Sequence, residues 1–231
     1  MEVEERPKAA SRTLLKAVLW DFDGTLVDTE PYWMKAEYRL IESYGGAWSH
    51  EDALQLVGND LLDSGRYIIE RTGIPLSPEE VVERLLDDVV AQLRDHIPWR
   101  PGARELLTEL AREGVPCGMV TMSYLRFVAP VLEALPEGTF AAVVTGEQVS
   151  RGKPHPEPYL EGAARLGVDP EACVAIEDSV TGSTSAIAAG CPTVVVPLHV
   201  AVEARPGSTV AGALPDSWAA LQDAAAQTSA R

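Results

Sequence analysis

Val18-Leu19-Trp20-Asp21-Phe22-Asp23-Gly24-Thr25-Leu26-Val27-Asp28-Thr29-Glu30 is the stretch that decides the fold of this chain. The apolar run from Leu14 to Trp20 before it reads as a buried strand. That strand ends in two carboxylates, Asp21 and Asp23, at i and i+2, with a glycine directly after. Residues two apart on a strand point the same way. Both acids therefore leave the strand tip toward one space, and Gly24 lets the chain turn sharply. Ligands of open α/β sheets bind at the carboxyl ends of the strands. Two acids in that place suit a nucleophile with a proton-transfer partner, or a metal site.

From Pro31 to Ile97 the rhythm is helical. Trp33, Ala36, Leu40 and Tyr44 share one helix face, and Gly45-Gly46 ends that helix. Short helices are expected near Glu51–Val57 and Leu61–Arg71. Ser77-Pro78-Glu79-Glu80 is a capping box with proline at the first helical position. It opens an apolar stripe of Val82, Leu85, Leu86, Val89 and Leu93 that runs to about His96. After Pro98, helix and strand alternate. Helices are expected at Arg104–Glu113, Leu125–Leu135, Pro158–Leu166 and Thr181–Ala189. Strands are expected at Val115–Met122, Phe140–Thr145, Cys173–Ile176 and Thr193–Val196. Such alternation means an α/β fold, a doubly wound parallel sheet covered on both faces. The all-helical block is then an insert after the first strand. The expected division is a core of residues 1–28 and 99–231 and an insert of residues 29–98.

Three more polar clusters follow strand-like runs or lie just beyond them. Thr121-Met122-Ser123 ends the second strand, where a hydroxyl and turning backbone N–H groups can cradle phosphate oxygens. Lys153 sits in the proline-stiffened loop Arg151–Tyr159. Glu177-Asp178-Ser179 follows Cys173–Ile176, and the small residues from Thr181 to Ala186 let the next helix pack closely.

These four clusters resemble, in order, the motifs of the haloacid dehalogenase-like phosphotransferase superfamily, whose first motif is DxDGT. The Leu-Val-Asp-Thr-Glu tail resembles the branch with a helical cap, which includes β-phosphoglucomutase and many sugar-phosphate phosphatases. The resemblance covers nearly the whole chain. It implies a Rossmann-like core with the second-motif and fourth-motif strands flanking the first, and the helical insert as a cap that closes over the site. It further implies Asp21 as nucleophile and Asp23 as general acid and base. Thr121, Met122, Ser123 and Lys153 would bind phosphate. Asp21, the backbone carbonyl of Asp23, and Asp178 would hold a metal ion, with Glu177 as a further ligand or an acid just behind it. On the cap, Glu30, Trp33, Asn59, Asp60 and Arg66 are candidates for substrate selection.

Charge argues for the metal. Each pair of like charges about 4 Å apart costs on the order of 4 kcal/mol at an effective dielectric of about 20. Four carboxylates would repel a phosphate dianion, and one lysine is too little to offset them. Hard oxygen ligands favour Mg²⁺. The function implied is a Mg²⁺-dependent phosphatase acting on a small phosphorylated metabolite, a sugar or polyol phosphate, through an aspartyl-phosphate. A phosphomutase of the β-phosphoglucomutase kind would share the first steps. That subfamily typically has a histidine about where Trp33 stands and a Gly-x-x-Arg where this chain has Gly58-Asn59-Asp60-Leu61. A receiver-type signalling domain combines similar groups, but with the acidic pair early and the acceptor late, the reverse of the order here.

The net charge of −16 argues against nucleic acid or an anionic membrane as partner. No run approaches transmembrane length. Cys117, Cys173 and Cys191 form a sparse, odd set that suits reduced thiols. A cytoplasmic monomer with frayed ends, Met1 to Arg12 and about Ala224 to Arg231, is the expectation.

Overall fold

The structure, a computed structural model, describes residues 14–56 and 61–230. β1 (Ala17–Trp20) is fully buried. It starts later than the apolar run suggested, and Leu14 is exposed. Helices α1 (Glu30–Ser43), α2 (His50–Leu54), α3 (Leu61–Thr72) and α4 (Pro78–Asp95) follow. Then come α5 (Ala103–Arg112), β2 (Cys117–Val120), α6 (Leu125–Glu133), β3 (Ala142–Val144), α7 (Glu157–Leu166) and β4 (Cys173–Glu177). α8 (Val180–Ala188), β5 (Thr193–Val195), β6 (Ser208–Val210) and α9 (Trp218–Ala226) complete the chain.

The sheet order is β3-β2-β1-β4-β5-β6, and every pairing is parallel. β1 lies between β2 and β4, with Val18 opposite both Cys117 and Val174. The winding reverses at β1, which makes its tip the switch point where α/β sheets bind ligands. Period-two alternation divides the core between the faces. Ala17 and Leu19 pack with Tyr159 and Ala163 of α7 and Ala186 of α8. Val18 and Trp20 join Leu106 of α5, Phe127 of α6 and Leu221 of α9. Cys117, Cys173 and Cys191 are buried and free.

α4 begins at the expected capping box, with Ser77 Oγ accepting from Glu80 N and Glu80 accepting from Ser77 N. Its apolar stripe is buried from Val82 to Leu93. A second box, Ser49 with Asp52, opens α2. The buried face of α1 differs from the expected one. Ala36 and Leu40 are buried, but Tyr44 is exposed past the helix end and Glu37 is buried instead. α4 lies along α6, where Arg126 pairs with Glu83 and Asp87. The two chain segments that lead into and out of α1–α4 form a short antiparallel ribbon. Val27 bridges Trp99, and Asp28 N donates to Pro98 O at 2.8 Å.

β6 and α9 were not anticipated. β6 is a three-residue edge strand after a glycine, too short to carry a periodic signal. The last residues of α9 and the 3₁₀ turn Gln227–Ala230 occupy the segment expected to fray, and Thr228 is buried there. Among the described residues no helix is long and apolar enough to cross a membrane.

Candidate active site

The tips of β1, β2 and β4 meet at one side chain, Lys153. Its ammonium has three protons to give. It donates to Asp21 Oδ1 at 2.6 Å, to Glu177 Oε1 at 2.7 Å and to the Val120 carbonyl at 2.9 Å. Burial alone would lower its pKa, but the carboxylates of Asp21 and Glu177 outweigh burial and raise it. Lys153 is thus a buried, fixed cation.

The acids around it are in excess. Asp21, Glu177 and Asp178 each place a carboxylate oxygen within 4.8 Å of the others. Burial, then repulsion from Glu177, pushes the Asp21 pKa up to about 7. Burial, then repulsion from Asp21 and Glu177, pushes Asp178 up to about 8. Asp21 Oδ2 is buried with no hydrogen-bond partner. An orphaned anionic oxygen costs free energy unless a cation meets it. This set of hard oxygens fits a divalent metal ion, so the residues present suit the ion that the sequence implies.

Glu177 is held differently. Its Oε1 accepts from Lys153 and from the Tyr159 hydroxyl at 2.6 Å, and its Oε2 accepts from Ser179 Oγ at 3.2 Å. A Cβ on Gly182 would lie 1.9 Å from Oε1, so the α8 backbone closes over this carboxylate. Gly24 serves Asp178 similarly. Its φ is +80°, and a Cβ there would lie 2.1 Å from Asp178 Oδ2.

Asp23 points into the same space. Thr29 Oγ1 donates to its Oδ1 at 2.6 Å, and Ser123 Oγ donates to its Oδ2. Burial raises its pKa, and the two hydroxyls oppose the shift. Ser123 therefore spends its hydroxyl on Asp23. It does not cap α6, whose N-cap is Tyr124 with no side-chain bond. Thr121 Oγ1 accepts from Ser123 N at 3.0 Å, and Met122 Sδ accepts from Lys153 N. These contacts bring Asp21, Asp23, Thr121, Met122, Ser123, Lys153, Glu177 and Asp178 together.

The candidates on the helical insert scatter. Trp33 packs on Phe127 of α6 at 5.3 Å between ring centroids, and Phe127 packs on Phe22 at 5.5 Å. Arg66 is exposed and pairs with Asp63. Asn59 and Asp60 lie outside the described residues. Glu30 opens α1 close enough to feel Asp23. Burial raises its pKa to about 6, opposed by His199. Several contributors escaped the sequence reading. Asp28, just beyond the first motif, pairs with His199 at 2.8 Å. Thr29 and Tyr159 hold the acids, and Arg100 is buried beneath the Asp23-Gly24 turn. None has a local sequence signal. Each reaches its partner across a long stretch of chain or by a loop geometry that periodicity does not encode.

A family model for haloacid dehalogenase-like hydrolases matches residues 18–196. Hexitol phosphatase B of Escherichia coli (strain K12) is 35% identical over 185 residues, 78% of this chain and 83% of that protein. Two solved structures share the architecture. A mutant of CbbY from Rhodobacter sphaeroides, in complex with xylulose-(1,5)bisphosphate, has a TM-score of 0.77 at 26% identity, covering 90% of this chain and 99% of that one. A putative β-phosphoglucomutase from Thermotoga maritima has a TM-score of 0.73 at 30% identity, covering 85% and 93%. The chain belongs to the haloacid dehalogenase-like hydrolase family. Within that family it is an enzyme of the phosphatase kind.

Proposed function

We propose that this enzyme hydrolyses a small phosphorylated sugar or polyol, with Mg²⁺ as its ion and Asp21 carrying the phosphoryl group between two steps. The observation that carries this reading is the pair of fates within one carboxylate. Asp21 Oδ1 is fixed by Lys153 while Oδ2 is buried and unpartnered, in a carboxylate grouped with Glu177 and Asp178. The substrate class draws support from the hexitol phosphatase and from the sugar bisphosphate bound by CbbY.

Asp21, Asp178 and the Asp23 carbonyl would hold Mg²⁺, and Glu177 would act from behind by anchoring Lys153. The ion supplies positive charge against the phosphoryl oxygens. Asp21 attacks phosphorus as the bond to the leaving oxygen breaks. Asp23, whose proton affinity is increased by burial, is the group placed to give a proton to the departing alkoxide. It then takes a proton from the water that attacks the aspartyl-phosphate, which frees phosphate and restores Asp21. The Thr121 hydroxyl and the Met122 backbone N–H donate to phosphoryl oxygens, beside the Lys153 charge. Residues 29–98 act as a cap that excludes bulk water. Glu30, at the start of that cap, faces the part of the substrate that is not phosphate.

The test is phosphate release over a panel of sugar, polyol and carboxylate phosphates, with and without EDTA. Release from sugar or polyol phosphates that stops with EDTA is the expected result. An isomerised sugar phosphate without released phosphate would instead establish a mutase.

A further inference from the structure

Arg100 is the first residue past the ribbon that closes the helical insert. It is buried, with 8% of its surface exposed. Its backbone N–H donates to Leu26 O at 3.0 Å, continuing that ribbon. Its guanidinium turns inward. One terminal nitrogen donates to the Gly24 carbonyl at 2.7 Å and the other reaches the Val196 carbonyl, past the end of β5, at 3.4 Å. These partners are carbonyls. The nearest opposing charges are Asp178 and Asp28, and their attraction works against the burial that lowers its pKa. A guanidinium keeps its proton, so this is a permanent buried cation. Such a group is costly to bury unless its surroundings use the charge.

The peptide that Arg100 holds is the one over which Asp178 lies, since a Cβ on Gly24 would meet the Asp178 carboxylate. We propose that Arg100 is a positioning residue that ties the return linker of the insert to the metal site, by fixing the Gly24 peptide beneath Asp178 and placing a positive charge on the far side of it. This role rests on the metal site proposed above. It gives the linker a path to the ion that bypasses the substrate.

The test uses the intact protein, Mg²⁺ alone and titration calorimetry. Arg100→Met removes the charge and both donors. It should weaken Mg²⁺ binding by about tenfold, the usual effect of losing a group that orients a ligand. The Mg²⁺ concentration for half activity should move by the same factor, while KM for substrate at saturating Mg²⁺ stays within about twofold. Arg100→Lys keeps the charge without the two-point reach, so its affinity should fall between. Wild-type Mg²⁺ affinity in Arg100→Met, with only a lower melting temperature, would overturn the coupling. Should Arg100→Met not fold, wild-type affinity in Arg100→Lys would do so. A wild-type protein that takes up no Mg²⁺ would overturn the metal reading and this coupling with it.

Discussion

Asp21 at the carboxyl end of the central strand and Glu37 in the helical insert are both buried carboxylates with raised pKa, yet their surroundings treat them in opposite ways. Glu37 is repelled by one carboxylate, Glu30, and Trp48 Nε1 donates to it at 3.1 Å. Burial pushes it up to about 8. A protonated Glu37 is a neutral, hydrogen-bonded group, so the insert solves its problem internally. Asp21 sits with Glu177 and Asp178 around one lysine and keeps an oxygen without a partner. Protonation would relieve that too, but it would remove the proposed nucleophile. Buried charge that the protein resolves by itself marks structure. Buried charge that it leaves unresolved marks a place for a ligand.

The largest way to break that contrast is Asp21→Asn. An amide removes the nucleophile and should cut turnover on the order of 10⁴-fold or more, as loss of a member of a catalytic unit does. Phosphate release measures it, and near-normal activity would end the covalent route. Asp23→Asn should cost about 10²- to 10⁴-fold on a sugar phosphate, whose alkoxide needs a proton. The loss should be much smaller on p-nitrophenyl phosphate, which leaves without one. An equal loss on both would remove the general-acid role. The smallest effect sharpens the other side. Glu37 holds its proton more tightly folded than unfolded, because its ordinary value of 4.5 rises to about 8. Its penalty is therefore absent at low pH and grows as pH rises from about 4.5 to about 8. Glu37→Gln keeps an acceptor for Trp48. It should gain about 1 kcal/mol or more at pH 8.5 and little at pH 4, read by thermal unfolding. A gain equal at both pH values would mean that ionisation of Glu37 is not what strains the insert.

The sequence was most legible where a local pattern and a chemical demand coincide. β1 with Asp21 and Asp23, the Ser77 capping box and the stripe of α4 are all short-range signals, and the structure has them in place. The alternation after Pro98 predicts a parallel sheet, while the placing of β2 and β4 beside β1 is what the family resemblance implies. Legibility failed where a residue's role depends on a partner far along the chain. Glu37 reads as surface on a helix until Trp48 is placed beside it. Arg100 reads as a solvated arginine next to a proline until the ribbon turns it inward. Asp28 reads as a cap until His199 arrives from beyond β5. Periodicity says which face is apolar, but it does not say which polar group will meet which.

The position of β1 also bears on how this protein is made. The strand leaves the ribosome before the insert, yet its hydrogen-bonding partners on both sides, β2 and β4, lie beyond the entire insert. Until they emerge, Ala17–Trp20 is an apolar edge with nothing to pair. Parallel pairing across so much chain is slow, and exposed strands of this kind are where nascent proteins aggregate. The helical insert, whose contacts are mostly local, can settle while β1 waits. The acid cluster therefore forms late in synthesis, since Asp21 has no Asp178 to face until β4 has been synthesised and has docked.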